Sequence, residues 1–284
     1  MIEAFNEHRS MLFGIAYRML GSVAEAEDAV QEVWLRWQRQ ETAEVRSSKA
    51  WLVSAMTRLC IDQLRSARKT REEYYGVWLP EPLMSASETE PTAGLSDSLT
   101  MAFMLMLESL DPVERATFLL REVFDFDYSD TAAIVGKTEV NCRQIVRRAR
   151  AQLAVTPKNP VPPSEQAREL VERFLEATQS GEVQRVLDLL VEDAVVYSDG
   201  GGRVKAAGRP IRSAGHVSRF LVGIWPRLPA DTVWKPAAIN GRSGVLLYSQ
   251  GEVFGVCSFD FDGDRVSNMY IVLNPEKLRH IGPA

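Results

Sequence analysis

The 284-residue sequence predicts a multidomain chain: two all-α modules in the first half, followed by an α+β domain. Three observations carry this expectation. Apolar residues recur at helical spacing through residues 5–64 and again through residues 99–153. Two stretches rich in proline and small polar residues, 72–98 and 156–163, interrupt the chain. Beyond the second break, helical texture gives way to short β-rich runs divided by Asn240-Gly241, Gly251 and Asp262-Gly263-Asp264, residues suited to hairpin turns. Length alone suggests two domains, or three small ones.

In the first half, helices are expected over Phe5–Leu20, Val23–Trp37 and Trp51–Leu64, with Gly21-Ser22 and Arg46-Ser47-Ser48 as breaks. Asp111-Pro112 reads as a helix start, and Gly136 as a turn between the last two helices. In the second half, helices are expected over Ser164–Gln179, Glu182–Leu190 and Ser213–Arg227. Strands are expected over Ala194–Tyr197, Val233–Ile239, Val245–Ser249, Val253–Phe259 and Val266–Leu273, the last four as an antiparallel meander.

Apolar residues at 45% and charged residues at 25% exclude disordered, collagen-like and low-complexity classes. No apolar run reaches the roughly 18 residues of a membrane-spanning helix. Glu3, Glu7, His8 and Arg9 leave no hydrophobic region for a secretory signal. Cys60, Cys142 and Cys257 lie far apart, without metal-ligand spacing, and three thiols cannot all pair. A reduced cytoplasmic protein without a metal or cofactor is expected.

The net charge of −5 conceals a sharp pattern. Residues 46–71 carry seven cations against Asp62 alone, whereas residues 72–114 carry nine acidic groups and no cation. A basic block fenced by acidic ones suggests a nucleic-acid footprint on one face. In the second expected helix, Val30, Val33, Trp34 and Trp37 form an apolar stripe, and Glu25, Asp28 and Glu32 share a different face suited to a basic partner or to solvent. In the third, Leu52, Ala55, Met56 and Leu59 face one way, while Arg58, Arg65 and Lys69, with Arg68 nearby, face another and could follow a phosphate backbone. Trp51, at that helix's start beside Leu52, reads as core more than as a melting aromatic.

Residues 128–150 read as a helix-turn-helix. Gly136 suits a left-handed turn position and Thr138 can cap the second helix. There Cys142, Ile145, Val146 and Ala149 form the inward face, and Val140, Gln144 and Arg147 point outward between Arg143 and Arg148. Gln and Arg are suited to bidentate base readout in the major groove. Lys137 should lay its stem along the surface.

The run from Ala24 to Arg36, then Ala50-Trp51-Leu52 and Ile61–Arg65, resembles region 2 of the extracytoplasmic-function sigma factors of the sigma-70 family. Leu110–Arg115 and Tyr128–Leu153 resemble their region 4, and the last 120 residues resemble a SnoaL-like domain of the cone-shaped nuclear-transport-factor-2-like fold. Trp78-Leu79-Pro80-Glu81-Pro82, Asp199-Gly200-Gly201-Gly202 and Asn274–Leu278 look like motifs of one subgroup carrying that fused domain. The implied organisation is region 2 over 1–75, an acidic linker over 76–98, region 4 over 99–155, a Pro-rich linker over 156–163 and a regulatory domain over 164–284.

The resemblance implies core RNA polymerase and promoter DNA as partners, with no membrane. Glu25, Asp28, Gln31 and Glu32 would bind polymerase. Arg46, Lys49, Arg58, Arg65, Arg68 and Lys69 would serve the −10 element, whose flipped base would enter the loop Glu41–Lys49. Thr138, Val140, Asn141, Arg143, Gln144, Arg147 and Arg148 would serve the −35 element. Trp78 to Pro82 would dock on the fused domain at Asp199, Gly200, Gly201, Gly202, Asn274, Pro275, Lys277 and Leu278, and an unknown small-molecule ligand in that domain is left open as a further partner. Two other functions compete: a ligand-responsive helix-turn-helix activator, and a cyclase or isomerase joined to a DNA-binding module. Asp199, His216 and Asp231 are the candidates for catalysis, with Asp199 expected in a loop because three glycines follow it.

Overall fold

A computed structural model describes the chain except residues 41–44, 46, 73, 85–96, 154–163 and 284, and leaves the side chains of residues 67–72, 97 and 164 undescribed. The chain divides into two compact units. One joins Met1–Glu72 to Phe103–Pro157; the other joins Glu73–Ala102 to Lys158–Ala284.

In the first unit, α1 (Ile2–Leu20) stops at Gly21, whose φ of 70° suits a residue without a side chain and whose N–H closes on Tyr17 O. Ser22 then caps α2 (Val23–Gln38), its hydroxyl accepting from Glu25 N at 3.1 Å. With α3 (Ser48–Glu72) they bury Leu12, Ile15, Met19, Val30, Val33, Trp37, Leu52 and Met56. Trp51 packs on Trp37 with ring centroids 5.1 Å apart. The chain resumes in α4 (Met101–Leu107), which begins in the second unit and continues into the first. Asp111 and Glu114 form a reciprocal capping box around Pro112 and start α5 (Pro112–Glu122). After α5 come α6 (Tyr128–Val135) and α7 (Glu139–Leu153), joined through Gly136 at φ 67°. Leu119, Ile134, Cys142, Ile145, Val146 and Ala149 are buried among these helices.

The second unit contains α8 (Ser164–Gln179), α9 (Val183–Asp188), β1 (Leu190–Asp199), β2 (Ile211–Arg212), α10 (Ala214–Ile224) and strands β3 (Val233–Ile239), β4 (Arg242–Ser249), β5 (Glu252–Asp262) and β6 (Arg265–Val272). The sheet order is β2-β1-β6-β5-β4-β3. The meander of β3 to β6 is antiparallel, but β1 enters beside β6 in parallel. A parallel neighbour needs a crossover, supplied here by the long return through α10 and the meander. The helix expected over Glu182–Leu190 ends earlier, because Leu190 already belongs to β1, and the two-residue β2 is too short to leave an alternating pattern. Phe174 of α8 meets Phe259 of β5 edge-on at 5.8 Å, and Val217, Leu221, Val245, Leu247, Met269 and Ile271 fill the interior around them.

Candidate nucleic-acid interface

On α7 the alternation follows from 3.6-residue spacing. Cys142, Ile145, Val146 and Ala149 are buried, while Val140, Asn141, Arg143, Gln144, Arg147 and Arg148 are exposed. Val140 is 66% exposed. Thr138 caps the helix, accepting from Asn141 N at 3.2 Å. Arg143 pairs with Glu139 at 3.0 Å and lies 4.3 Å from the Tyr128 ring centre, and Arg148 lies 3.3 Å from Glu114. Arg147 makes no ion pair with a described residue, and both it and Gln144 are exposed. Lys137 is exposed.

On α2 the residues Glu25, Asp28, Gln31 and Glu32 are all exposed, and Glu32 receives Arg36 at 2.8 Å one turn on. The apolar stripe opposite them is committed to packing: Trp34 tilts against Phe5 at 4.8 Å, and Trp37 donates to Met1 O.

Two cations of α3 meet the stretch 124–135 within the same unit. Arg58 donates to Ile134 O and Ala133 O at 3.3 and 3.4 Å, at the C-terminal turn of α6. Lys49 lies 5.2 Å from the Phe126 ring centre. Ser47, Lys49 and Ala50 share a cleft of about 190 Å³ with Phe124, Asp125, Phe126, Asp127 and Asp130. Arg65 is exposed, 3.8 Å from Asp62. Arg46 and the side chains of Arg68 and Lys69 lie outside the described residues, as does most of the loop 41–49. A deeper contact joins α5 to α1: buried Arg115 of α5 donates to Met19 O at 2.6 Å, on the last turn of α1, and to Glu108 at 2.8 Å. Arg18, also buried, stacks 5.4 Å from Phe124, and burial pushes its pKa down to about 10.

In the second unit, residues 74–84 form an extended strap on the sheet. The strap converges on Asp199, which is the last residue of β1 and 1% exposed; the expectation of a loop position is corrected, the glycines beginning one residue later. Asp199 accepts from Tyr74 Oη at 2.5 Å, Leu79 N at 2.8 Å, Lys277 Nζ at 2.8 Å and Gly201 N at 2.9 Å. Lys277 also donates to Leu79 O and sits 4.2 Å from the Trp78 ring centre. Burial, and then the Asp199 carboxylate, push the Tyr74 hydroxyl pKa up. Leu79 is fully buried, Pro80 and Pro82 are buried, and Glu81 is half-buried. A side chain on Gly201 would run into Asn274, whose amide donates to Tyr74 Oη at 3.0 Å. A side chain on Gly200 would meet Val204 O. Pro275 starts the short 3-10 turn that carries Lys277 and buried Leu278.

Sequence reasoning missed three anchors of this strap: Tyr74, Asn240 and His280. Asn240 was legible only as a hairpin-turn residue, and its φ of 51° fits that reading. Its side chain nevertheless accepts from Leu83 N at 2.9 Å and donates to Leu99 O at 2.8 Å, while its own N–H bonds Leu83 O. His280 Nε2 lies 2.7 Å from Pro82 O.

The catalytic candidates do not converge. Asp199 is engaged by the strap, exposed His216 bonds Ser213 at 2.9 Å, and exposed Asp231 accepts from Ser249 and Gln250 N, which lowers its pKa. On the sheet, Asp260 accepts from Tyr270 at 2.8 Å, and burial raises its pKa.

Helical modules of this order and geometry define a class. Residues 4–70 match the model for Sigma-70 region 2, and residues 100–153 match that for Sigma-70, region 4. Over an alignment 293 positions long, gaps included, the sequence is 36% identical to ECF RNA polymerase sigma factor SigJ of Mycobacterium tuberculosis H37Rv, covering 98% of this chain and 93% of that protein. It is 28% identical to the probable ECF RNA polymerase sigma factor SigI of M. tuberculosis CDC 1551, covering 97% and 93%. The crystal structure of M. tuberculosis SigJ superimposes with a TM-score of 0.77 at 29% identity, over 98% of each chain. The chain therefore belongs to the extracytoplasmic-function RNA polymerase sigma factors of the sigma-70 family, and its likeness to SigJ extends through the C-terminal helix-and-sheet domain.

Proposed function

We propose that this chain binds core RNA polymerase in the cytoplasm through the acidic face of α2 and directs it to promoters. Region 2, through Lys49, Arg58, Arg65 and the cations near them, serves the −10 element. Region 4 reads the −35 element through α7. The observation that carries this reading is the outward row of α7, where Val140, Gln144 and Arg147 stand exposed above a packed helix-turn-helix core. Such a protein selects where transcription starts and performs no chemistry of its own. The family relationship favours it over a ligand-responsive activator.

The C-terminal domain acts on this function by holding the segment between the two sigma regions. With Leu79 buried and Asp199 ligated by the strap, the connection is fixed to the sheet along residues 74–84. The apolar packing around Phe174 and Phe259 supports a structural role for this domain over ligand sensing.

The test is charge reversal on α2. Asp28→Lys with Glu32→Lys places cations where a basic partner would dock. The pair is exposed, so the fold is expected to survive, with unchanged helicity by circular dichroism. Co-purification with core polymerase is expected to be lost. Retention of both helicity and polymerase binding would make this a solvated face.

A further inference from the structure

Residues 200–212, between β1 and β2, contain Arg203, Lys205, Arg209 and Arg212 and no acidic residue. Residues 156–284 as a whole hold fifteen cations and fifteen acidic groups, so the loop concentrates charge that the rest of the domain offsets. Such local concentration, against a balanced background, is the electrostatic mark of a polyanion site.

All four cations are exposed. Arg203 is committed to Glu276 at 2.9 Å. Lys205, Arg209 and Arg212 make no ion pair with any described residue, and Asp199 at the loop's start is occupied by the strap. The loop is held in place: Arg203 N and Val204 N bond Gly200 O, Ala207 N bonds Ser198 Oγ at 2.8 Å, and Ile211-Arg212 pairs with Val195-Val196 at the edge of the sheet. The strap crosses it, with Gly76 against Gly208 and the Tyr75 Cβ close to Gly202. Tyr75 is 74% exposed and Val204 is 42% exposed, so an aromatic ring and an aliphatic group stand in solvent beside the cations. A structural role accounts for neither the open cations nor the open ring.

We infer that this loop is a further nucleic-acid contact, binding the phosphate backbone of promoter DNA through Lys205, Arg209 and Arg212, with Tyr75 available to lie on a sugar or base. Phosphodiester is favoured over a small anion, because three exposed cations spread along a loop match a repeating charge. The inference rests on the reading of the chain as a promoter-binding protein, and adds a contact that belongs to neither sigma region.

The experiment uses the full chain and a fluorescent 40-base-pair duplex of mixed sequence, followed by anisotropy across a salt series. Lys205→Gln, Arg209→Gln and Arg212→Gln are combined; all three side chains are exposed, and a thermal melt checks the fold. Affinity is expected to fall about tenfold near 0.1 M salt, and the slope of log affinity against log salt to shrink by about 2 to 3, at about 0.9 for each phosphate that is no longer neutralised. Tyr75→Ala is expected to weaken binding without changing the slope. Arg147→Ala is measured in parallel. If the triple variant matches wild type while Arg147→Ala weakens binding, the loop assignment is overturned and the helix-turn-helix reading stands. Loss in the triple variant keeps the loop whatever Arg147→Ala does, because a duplex without a −35 element does not test base readout by α7. If neither variant changes binding, the loop assignment fails. A loss seen only as weaker capture of core polymerase, with duplex binding intact, would overturn the DNA assignment in favour of an acidic protein surface.

Discussion

The join between regions 2 and 4 and the join between strap and sheet both use cations placed against backbone carbonyls, but they differ in depth. At the strap, Lys277 and Asp199 are 7% and 1% exposed, and each makes further hydrogen bonds to the strap. Between the sigma regions the contact is graded. Arg115 and Arg18 are buried beside the end of α1, whereas Lys49 and Arg58, on α3, are exposed and hold region 4 through a ring at 5.2 Å and carbonyls beyond 3.2 Å. A buried ion pair with filled hydrogen bonds cannot be opened without stranding a charge, whereas long exposed contacts exchange with water at little cost. The strap is therefore a seam, and the α3 side of the sigma contact is a joint that can part. The residues at that joint are also among those proposed to serve DNA.

The hardest blow to this contrast is delivered at Asp199. Asp199→Ala takes away the carboxylate 2.8 Å from the buried Lys277 ammonium, and removes acceptors from Tyr74 and Leu79. A loss of about 3–5 kcal/mol is expected, read by denaturant unfolding, with proteolytic cleavage appearing within residues 74–84. A loss under about 1 kcal/mol would mean that solvent reaches this pair and that the strap is no seam. Trp78→Ala sharpens the same point. It removes a half-buried ring 4.2 Å from Lys277 Nζ but leaves the ion pair in place. About 2 kcal/mol is expected, less than a core Trp→Ala substitution, again with faster cleavage of the strap. A strap as protected as in wild type would show that the ring adds nothing to the carboxylate network.

What the sequence disclosed follows from how local each signal is. The helix-turn-helix was legible because one element contains its whole pattern: Gly136 for the turn, Thr138 for the cap, and Cys142, Ile145, Val146 and Ala149 at helical spacing. The strap motif was legible because a Trp-Leu pair followed by two prolines has no use in a solvated linker. Its anchors were not, since Tyr74 and Asn240 are respectively 125 and 157 residues from the groups they bond, Asp199 and Leu83. Asn240 was hidden further by its own explanation, because Asn-Gly already accounts for a hairpin turn. The parallel entry of β1 beside β6 was equally silent, since alternation records which face is buried and not which neighbour is paired. The engagement of Lys49 and Arg58 by region 4 escaped for a different reason: an outward cation looks the same in sequence whether it faces water, phosphate or a helix terminus.

Arg58→Ala should have the smallest effect on stability. The guanidinium is exposed, and its bonds to Ile134 O and Ala133 O are long, so the interaction amounts to a cation near the negative end of a short helix. Such placements contribute about 0.3–1 kcal/mol, and water can take over both carbonyls once the side chain is gone. The expected change in unfolding free energy is therefore under about 1 kcal/mol. The effect on DNA should be distinct from it. If Arg58 leaves α6 to meet a phosphate, its removal should reduce the salt slope of duplex binding by about 0.9 and weaken all sequences alike. The two measurements can be made on one preparation, by denaturant titration and by anisotropy. A small stability change with a reduced slope identifies a residue that region 4 and DNA use in turn. A loss above about 2 kcal/mol would mean that the α3 side is a seam like the strap, and that regions 2 and 4 do not part at that edge.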